Sequence, residues 1–541
     1  MTLASLAQSV SLRERRAAAV LIVLAMLLSS IPPIFALMTA SANGMAWSGM
    51  QFLSPGDISV YLSYIEQVKQ GRWLFGNFYT TEPLAPVFNI FWLAIGLFSR
   101  VLRLDALLAY HLARLALIPV FGAVAYLFVA FVLPRARHRV FAFGLFFFSS
   151  GVGEYFSPLF LEGRFDGSRY QWPIDLWVAE SNAFLSMLYS PHFIASWTLI
   201  LACFLLLLMA FESGRDREAV LAGALALLLF QFHPFHAPTL YFAPLVFAAM
   251  RVRWGASIRR LARPYLIFVG ISSPSVLYHY YLTHYDANAG ELLANNLTLT
   301  PGLPLVLLGF GLITLFAPIG YYIVRRVRGD HARWDFLAAW ALAQFILAYS
   351  PLTFQRRLLE GLQFPLVLLA VPAMLAFGRR LESRLDLHKV VIAAFACFFL
   401  LPSTASALVN GVGVIKTPQP SFYFDRDTRA AFAWLKEYSV ADAVVLAMPD
   451  SGYEIAGWAG RRVYSGHWAM TIDAGRKHEE LRGFFSNEGV AGQRRQLIDL
   501  SGADYVFWGP RERETGGAPA ATWKKVFESG ETAVYEITAG I

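Results

Sequence analysis

The chain predicts a mainly α, polytopic transmembrane helical bundle with a small C-terminal external α/β domain. Three observations carry this. Of 541 residues, 57% are hydrophobic and 15% charged, against about 25% charged in a soluble domain. The apolar residues gather in runs long enough to cross a hydrocarbon core about 30 Å thick, and mean hydropathy is +0.49. Past residue 409 the composition turns polar and mixed.

The membrane elements follow from the placement of charge. The net charge of +8 does not point to nucleic acid, because Lys and Arg fall into short loops between apolar runs. These loops are Arg13–Arg16, Pro134–Arg139, Gly214–Arg217, Arg251–Arg263, Arg325–Arg333 and Arg379–Lys389, and the excess of cations places them on the cytoplasmic side. The alternate connections at 151–182, 233–238, 282–303 and 350–363 hold few cations and are expected outside. Spans are expected near 17–40, 106–132, 140–153, 191–211, 219–232, 239–250, 264–281, 304–324, 336–350, 364–378 and 390–408. That gives about 11–13 crossings, with an uncleaved first span and an external C-terminus. The apolar stretch 85–99 breaks the alternation if it crosses, so either it is a re-entrant or interfacial helix, the favoured reading, or 106–132 makes two short crossings. The short runs 219–232 and 239–250 suit a thinned or protein-lined part of the bundle. Cys203 and Cys397 lie inside apolar runs. They read as small buried hydrophobes and supply no disulfide framework or cysteine cluster.

The expected domains are a membrane domain at 1–408, with external loops at about 41–105 and 151–182, and a soluble domain at 409–541. Within the latter, 444–447 and 505–508 are strand-like, and 426–438, 474–485 and 489–501 are helix-like.

The candidate chemistry sits in the external connections. Ser54-Pro55-Gly56-Asp57 opens a helix that ends near Gly71. Ile58, Tyr61, Leu62, Ile65 and Val68 share one face of it, and Glu66, Lys69 and Gln70 the other, the pattern of an interfacial helix. Asp57 caps that helix, or offers a carboxylate at the membrane boundary, or both. Thr80-Thr81-Glu82-Pro83-Leu84 places a second acid before the 85–99 stretch, where a plain turn would also fit. Arg356 and Arg357 lie between two spans, and a guanidinium pair there suits bidentate phosphate binding or lipid headgroup contact. His192 opens a span, and His233 and His236 form a tight link between two short ones. Without an HExxH pattern these histidines read as core or phosphate-facing groups rather than metal ligands. Loop 151–182 carries Glu154, Glu162, Arg164, Asp166, Arg169, Asp175 and Glu180. Asp166, Asp175, His192, His233 and His236 are the candidates to line an acceptor cavity.

An acid just after the first span, an amphipathic loop helix, an acid-Pro-Leu stretch and a long series of spans resemble the C-type (GT-C) integral membrane glycosyltransferase superfamily. The layout is similar to the aminoarabinose transferase and protein mannosyltransferase branches. The runs from Ala459-Gly460-Arg461-Arg462 to Gly466-His467-Trp468, and from Asp504-Tyr505-Val506 to Arg511-Glu512, resemble the external domain of bacterial members. The resemblance implies a polyprenyl-phosphate sugar donor, external chemistry with inversion, and a glycan, lipid or protein acceptor. It implies that Asp57 is the general base, with Glu82 a second catalytic acid. No cofactor is demanded; a divalent metal, Mg or Mn, is the one candidate, with Asp57 as its ligand. The expected location is a bacterial inner membrane. Asp57, Glu82 and Arg356 or Arg357 are then expected to face one external cavity open to lipid.

Other readings stay open. A transporter or flippase predicts paired half-repeats and ionisable residues within spans, for which Arg114 is the clearest candidate. A non-enzymatic scaffold with a polymer-binding external domain would leave the acids and the Arg pair unrelated. A soluble nucleotide-sugar enzyme is excluded by the lack of a doubly wound fold, and no GxxxxGK[ST] occurs.

Overall fold

The structure, a computed structural model, describes residues 2–53, 56–160, 163–286, 288–327, 329–385, 389–486 and 491–537. Contacts divide the chain into two compact units, Met1–Ile31 with Ala113–His279 and Leu297–Gly411, and Pro32–Leu112 with Tyr280–Asn296 and Val412–Ile541.

A helix lies at every segment expected to cross the membrane. Among the described residues, five segments are long and apolar enough to do so alone: Leu12–Ala42, Ala106–Val132, Ala136–Leu159, Pro191–Ser213 and Gln355–Glu382. Leu303–Phe310 and Leu312–Arg325 make a sixth if they count as one span bent by 80°. The bend is at Gly311, whose φ of 56° and ψ of −136° only glycine adopts without strain. This is fewer than the alternation of basic loops suggests: some of the other helices are short, and Ile258–Tyr285, with 28 residues, is long but not apolar enough. Asp216–Phe232 and Ala237–Arg253 have 17 residues each, and Ala332–Leu347 has 16, against about 20 for a full crossing.

The first unit is packed by aromatic side chains. Phe204 lies 4.5 Å from Trp340 and Phe128 lies 5.0 Å from Phe364, centre to centre, within one continuous buried cluster. Leu312–Arg325 runs close against Gln363–Leu385, since a Cβ at Gly320 would fall 1.9 Å from the Leu369 carbonyl oxygen. Small residues permit such backbone approach between membrane helices. Arg114 is buried here, donating to the carbonyls of Ser29 at 3.2 Å and Met187 at 2.7 Å.

The second unit holds a five-stranded sheet in the order Arg462–Val463, Val444–Leu446, Tyr505–Trp508, Thr532–Glu536, Lys524–Ser529. The first three strands are parallel and the last two antiparallel to their neighbours. Helices Arg426–Tyr438, Ala474–Phe485 and Ala491–Ser501 fall where their periodicity predicts. The segment 41–105 belongs to this same unit. Its strand Ala46–Trp47 pairs with Tyr423–Phe424, and its helix Ile58–Lys69 packs on both Ile90–Val101 and Pro449–Trp458.

That packing corrects the interfacial reading of the helix. Glu66, assigned to a solvent face, is 2% exposed, and its carboxylate is answered by Lys69 at 3.2 Å and Lys436 at 2.7 Å. Lys436 comes from a helix some 370 residues further on, so no local pattern announces it. Ile90–Val101, the helix in the 85–99 stretch, has 12 residues, or about 18 Å of helix, too little to cross alone.

Candidate functional site

Asp57 stands directly before Ile58–Lys69, but its backbone is helical (φ −79°, ψ −25°) and its side chain makes no capping hydrogen bond. Ser54 and Pro55 lie outside the described residues. The carboxylate lies beside His467 instead, Oδ1 3.5 Å from Nε2, with the Asp57 side chain 42% exposed and that of His467 5%. His467 Nδ1 accepts the Ala469 backbone N–H at 3.2 Å. The neutral ring therefore carries its proton on Nε2, the nitrogen next to Asp57.

Two tyrosines wall this histidine, Tyr79 at 6.0 Å and Tyr453 at 6.1 Å between ring centres. Ser59 binds both: its N–H donates to the Tyr453 hydroxyl at 3.1 Å, its hydroxyl donates to the Tyr453 carbonyl at 2.5 Å, and the Tyr79 hydroxyl donates to Ser59 Oγ at 3.3 Å. Burial pushes the Tyr453 phenol well above its ordinary pKa, so both tyrosines act as fixed neutral walls rather than as bases. Gly457 allows the helix Pro449–Trp458 to meet Ser59, because a Cβ there would fall 2.0 Å from its Oγ.

Glu82 lies on a turn tied to the C-terminal segment through the pairing of Thr80 with Ser465. Thr80 donates its hydroxyl to Glu82 Oε2. The ammonium of Lys477 donates to the same oxygen at 2.6 Å, to Thr80 Oγ1 at 3.0 Å and to the Tyr464 carbonyl at 3.2 Å. Burial raises the Glu82 pKa, but the hydrogen bonds from Lys477 and Thr80 outweigh it and hold the carboxyl below the ordinary range. Asp286 and Asn288 brace the next residues, accepting from Ala85 N at 2.6 Å and donating to the Pro83 carbonyl at 2.7 Å.

The remaining expected residues belong to the first unit. Arg356 and Arg357 sit on the short 3₁₀ turn Gln355–Leu359. Arg356 Nε is 3.5 Å from Glu180 Oε1, and its guanidinium lies 4.5 Å over the Trp177 ring. Arg357 lies 4.6 Å over Phe235. Asp166 is exposed at the end of the hairpin strand Arg164–Asp166. Asp175 is fully buried, accepting from Gly153 N at 3.1 Å and from the Ser403 hydroxyl at 2.5 Å. Burial pushes its pKa up to about 6. His192 Nδ1 shares a proton with Ser190 Oγ at 2.6 Å, and its ring packs 5.6 Å from that of His233. His233 and His236 meet Glu360, which is buried on the far side of the Arg pair in sequence. Glu162 lies outside the described residues.

Asp57 and Glu82 thus share the second unit, while Arg356, Arg357, Asp166, Asp175 and the three histidines share the first. Sequence reasoning missed His467, Lys477 and Glu360. The signal for His467 was the Gly466-His467-Trp468 run; Glu360 follows the Arg pair by three residues. Lys477 reads from sequence as one charge among many on a solvated helix.

Among solved structures the chain is similar to the oligosaccharyltransferase AglB of Archaeoglobus fulgidus in complex with an inhibitory peptide and a dolichol-phosphate. The TM-score is 0.52 at 12% identity, over 92% of this chain and 70% of that one. An Archaeoglobus fulgidus oligosaccharyltransferase in complex with Zn and sulfate gives a TM-score of 0.51 at 13% identity, over 90% and 67%. At these identities the likeness is one of fold. No family model and no curated protein matches the chain.

Proposed function

We propose that this protein is a membrane glycosyltransferase that moves a sugar from a polyprenyl-phosphate donor to an acceptor hydroxyl on the external face, with Asp57 as general base. The observation that carries the proposal is the Asp57 carboxylate. It is half-exposed, released from capping, and set against a histidine whose tautomer is fixed, in a chain with the glycosyltransferase fold.

In the proposed reaction Asp57 accepts the proton of the acceptor hydroxyl as its oxygen attacks the anomeric carbon. The bond from that carbon to the lipid phosphate oxygen breaks, and polyprenyl phosphate leaves with the bonding pair. Attack opposite the leaving group inverts the anomeric configuration. His467 Nε2–H beside Oδ1 holds the carboxylate in place; such contacts are long in ligand-free structures and tighten in complexes. Glu82 is held ionised by Lys477 and orients the acceptor. Arg356 and Arg357 are the proposed ligands for the donor phosphate, since planar guanidinium groups match phosphate oxygens in pairs.

The test is to supply purified protein with a labelled polyprenyl-phosphate sugar and a cell-envelope extract as acceptor. Labelled sugar should pass into the extract with release of polyprenyl phosphate, and a nucleotide sugar should give none. Transfer from the nucleotide sugar alone, or from neither donor, overturns the proposal.

A further inference from the structure

We propose that His233, His236 and Glu360 form a binding site for a divalent transition metal, with zinc the best fit. This inference concerns the first unit alone and does not depend on the proposed transferase reaction.

Three lone-pair donors converge on one point. His236 Nε2 is 3.0 Å from Glu360 Oε2 and 3.1 Å from His233 Nδ1, and His233 Nδ1 is 3.9 Å from Glu360 Oε2. Ligands about 2.0–2.1 Å from a tetrahedral zinc stand about 3.3–3.4 Å apart. The three measured separations bracket that value, so an ion fits with small side-chain movement. Two imidazoles and a carboxylate match zinc sites that keep a fourth position open, and imidazole ligands favour zinc-like ions over magnesium or calcium.

Burial and charge point the same way. The side chains of His236 and Glu360 are 0% exposed and that of His233 is 4% exposed. Among the described residues the cationic groups within 4.0 Å of Glu360 are these two histidines. A buried carboxylate is costly unless it is paired, and a divalent ion would place a formal positive charge beside it. Without an ion, the His236 Nε2 position must serve both Glu360 and His233 Nδ1 with a single proton. With an ion, all three donor atoms are satisfied at once.

The surroundings hold the ligands as metal sites require. The Ser196 hydroxyl donates to Glu360 Oε1, leaving Oε2 for the ion. Gln344 Nε2 donates to the carbonyls of Leu358 at 2.8 Å and Glu360 at 2.7 Å, which fixes the backbone that presents the carboxylate. Gly361 follows with φ 99°, a turn open to glycine. The site ties the link 233–236 to the loop that carries Arg357, whose guanidinium already stacks on Phe235 between the two histidines. A metal there would set the position of that arginine.

The test uses the full chain purified in detergent. Elemental analysis should find about one zinc-class ion per chain. After removal by a chelator, Co(II) alone is added, and the visible bands of a low-symmetry nitrogen–oxygen site should appear. Glu360→Gln and His236→Gln should each abolish both signals, while His279→Gln, outside the triad, should keep them. Ser196→Ala should weaken Co(II) affinity about 10–100-fold with the bands retained, and it remains informative if a ligand variant does not fold. Absence of bound metal together with no Co(II) bands in the wild type overturns the site. So does a Co(II) spectrum that survives Glu360→Gln.

Discussion

Asp57 of the second unit and Glu360 of the first both lie against histidine, and they differ in exposure. The Asp57 side chain is 42% exposed and that of Glu360 is 0% exposed. A carboxylate still in contact with solvent is screened by water and does not depend on a fixed counter-charge. A carboxylate sealed in a helical bundle must be compensated on the spot, here by two imidazoles and, as proposed, an ion. The difference teaches that the neighbouring residue type alone does not assign a role; the dielectric around the pair does.

Substitutions can break or sharpen this contrast. The largest stability effect should come from Glu360→Gln, which removes one partner of a buried charged cluster and should cost about 3–5 kcal/mol, read as a large fall in Tm. Next comes Asp175, whose pKa burial lifts from 3.8 to about 6. The folded state holds that proton more tightly than the unfolded chain. The stabilising contribution is therefore complete below pH 3.8 and is lost as pH rises through about 6. The loss should be about 3 kcal/mol over the window. Asp175→Asn should remove that slope from a series of melts between pH 4 and 7; an unchanged slope would assign it to other groups.

Lys477→Met should cost about 2 kcal/mol, because it strands Glu82 and Thr80 next to buried surface. Lys477→Met combined with Glu82→Gln should recover part of that loss in a double-mutant cycle. Smallest of all, Asp57→Asn should change stability by less than about 0.5 kcal/mol, because its side chain is 42% exposed and the change keeps its size. A Tm drop for Asp57→Asn comparable to that of Glu360→Gln would erase the distinction between the two carboxylates.

The helices were legible in the sequence because hydrophobic runs and basic loops are local signals. Segments such as Pro191–Ser213 and Ala106–Val132 lie where composition puts them. The strand at 505–508 and the helices around it were legible for the same reason. Span length was less so: the charge alternation counts sides of a membrane but does not set how long each helix is, and Ala332–Leu347 has only 16 residues. Asp57 draws notice in the sequence because it follows an apolar run and opens a helix. Its neighbour His467 could not, since 410 residues separate them and only the folded second unit brings them to 3.5 Å. Glu66 was misplaced for a related reason, its counter-charge Lys436 arriving from a distant helix. The pair His233 and His236 was visible by spacing, but the carboxylate that turns a pair into a possible ligand set lies 124 residues away in sequence.

The most direct test of Asp57 as the base is the rate of sugar transfer from a labelled polyprenyl-phosphate donor by wild type and by Asp57→Asn, with melting temperatures matched. A fall of about 10²–10⁴-fold is expected for loss of a general base, with donor binding retained. Equal rates for the two proteins would contradict the assignment.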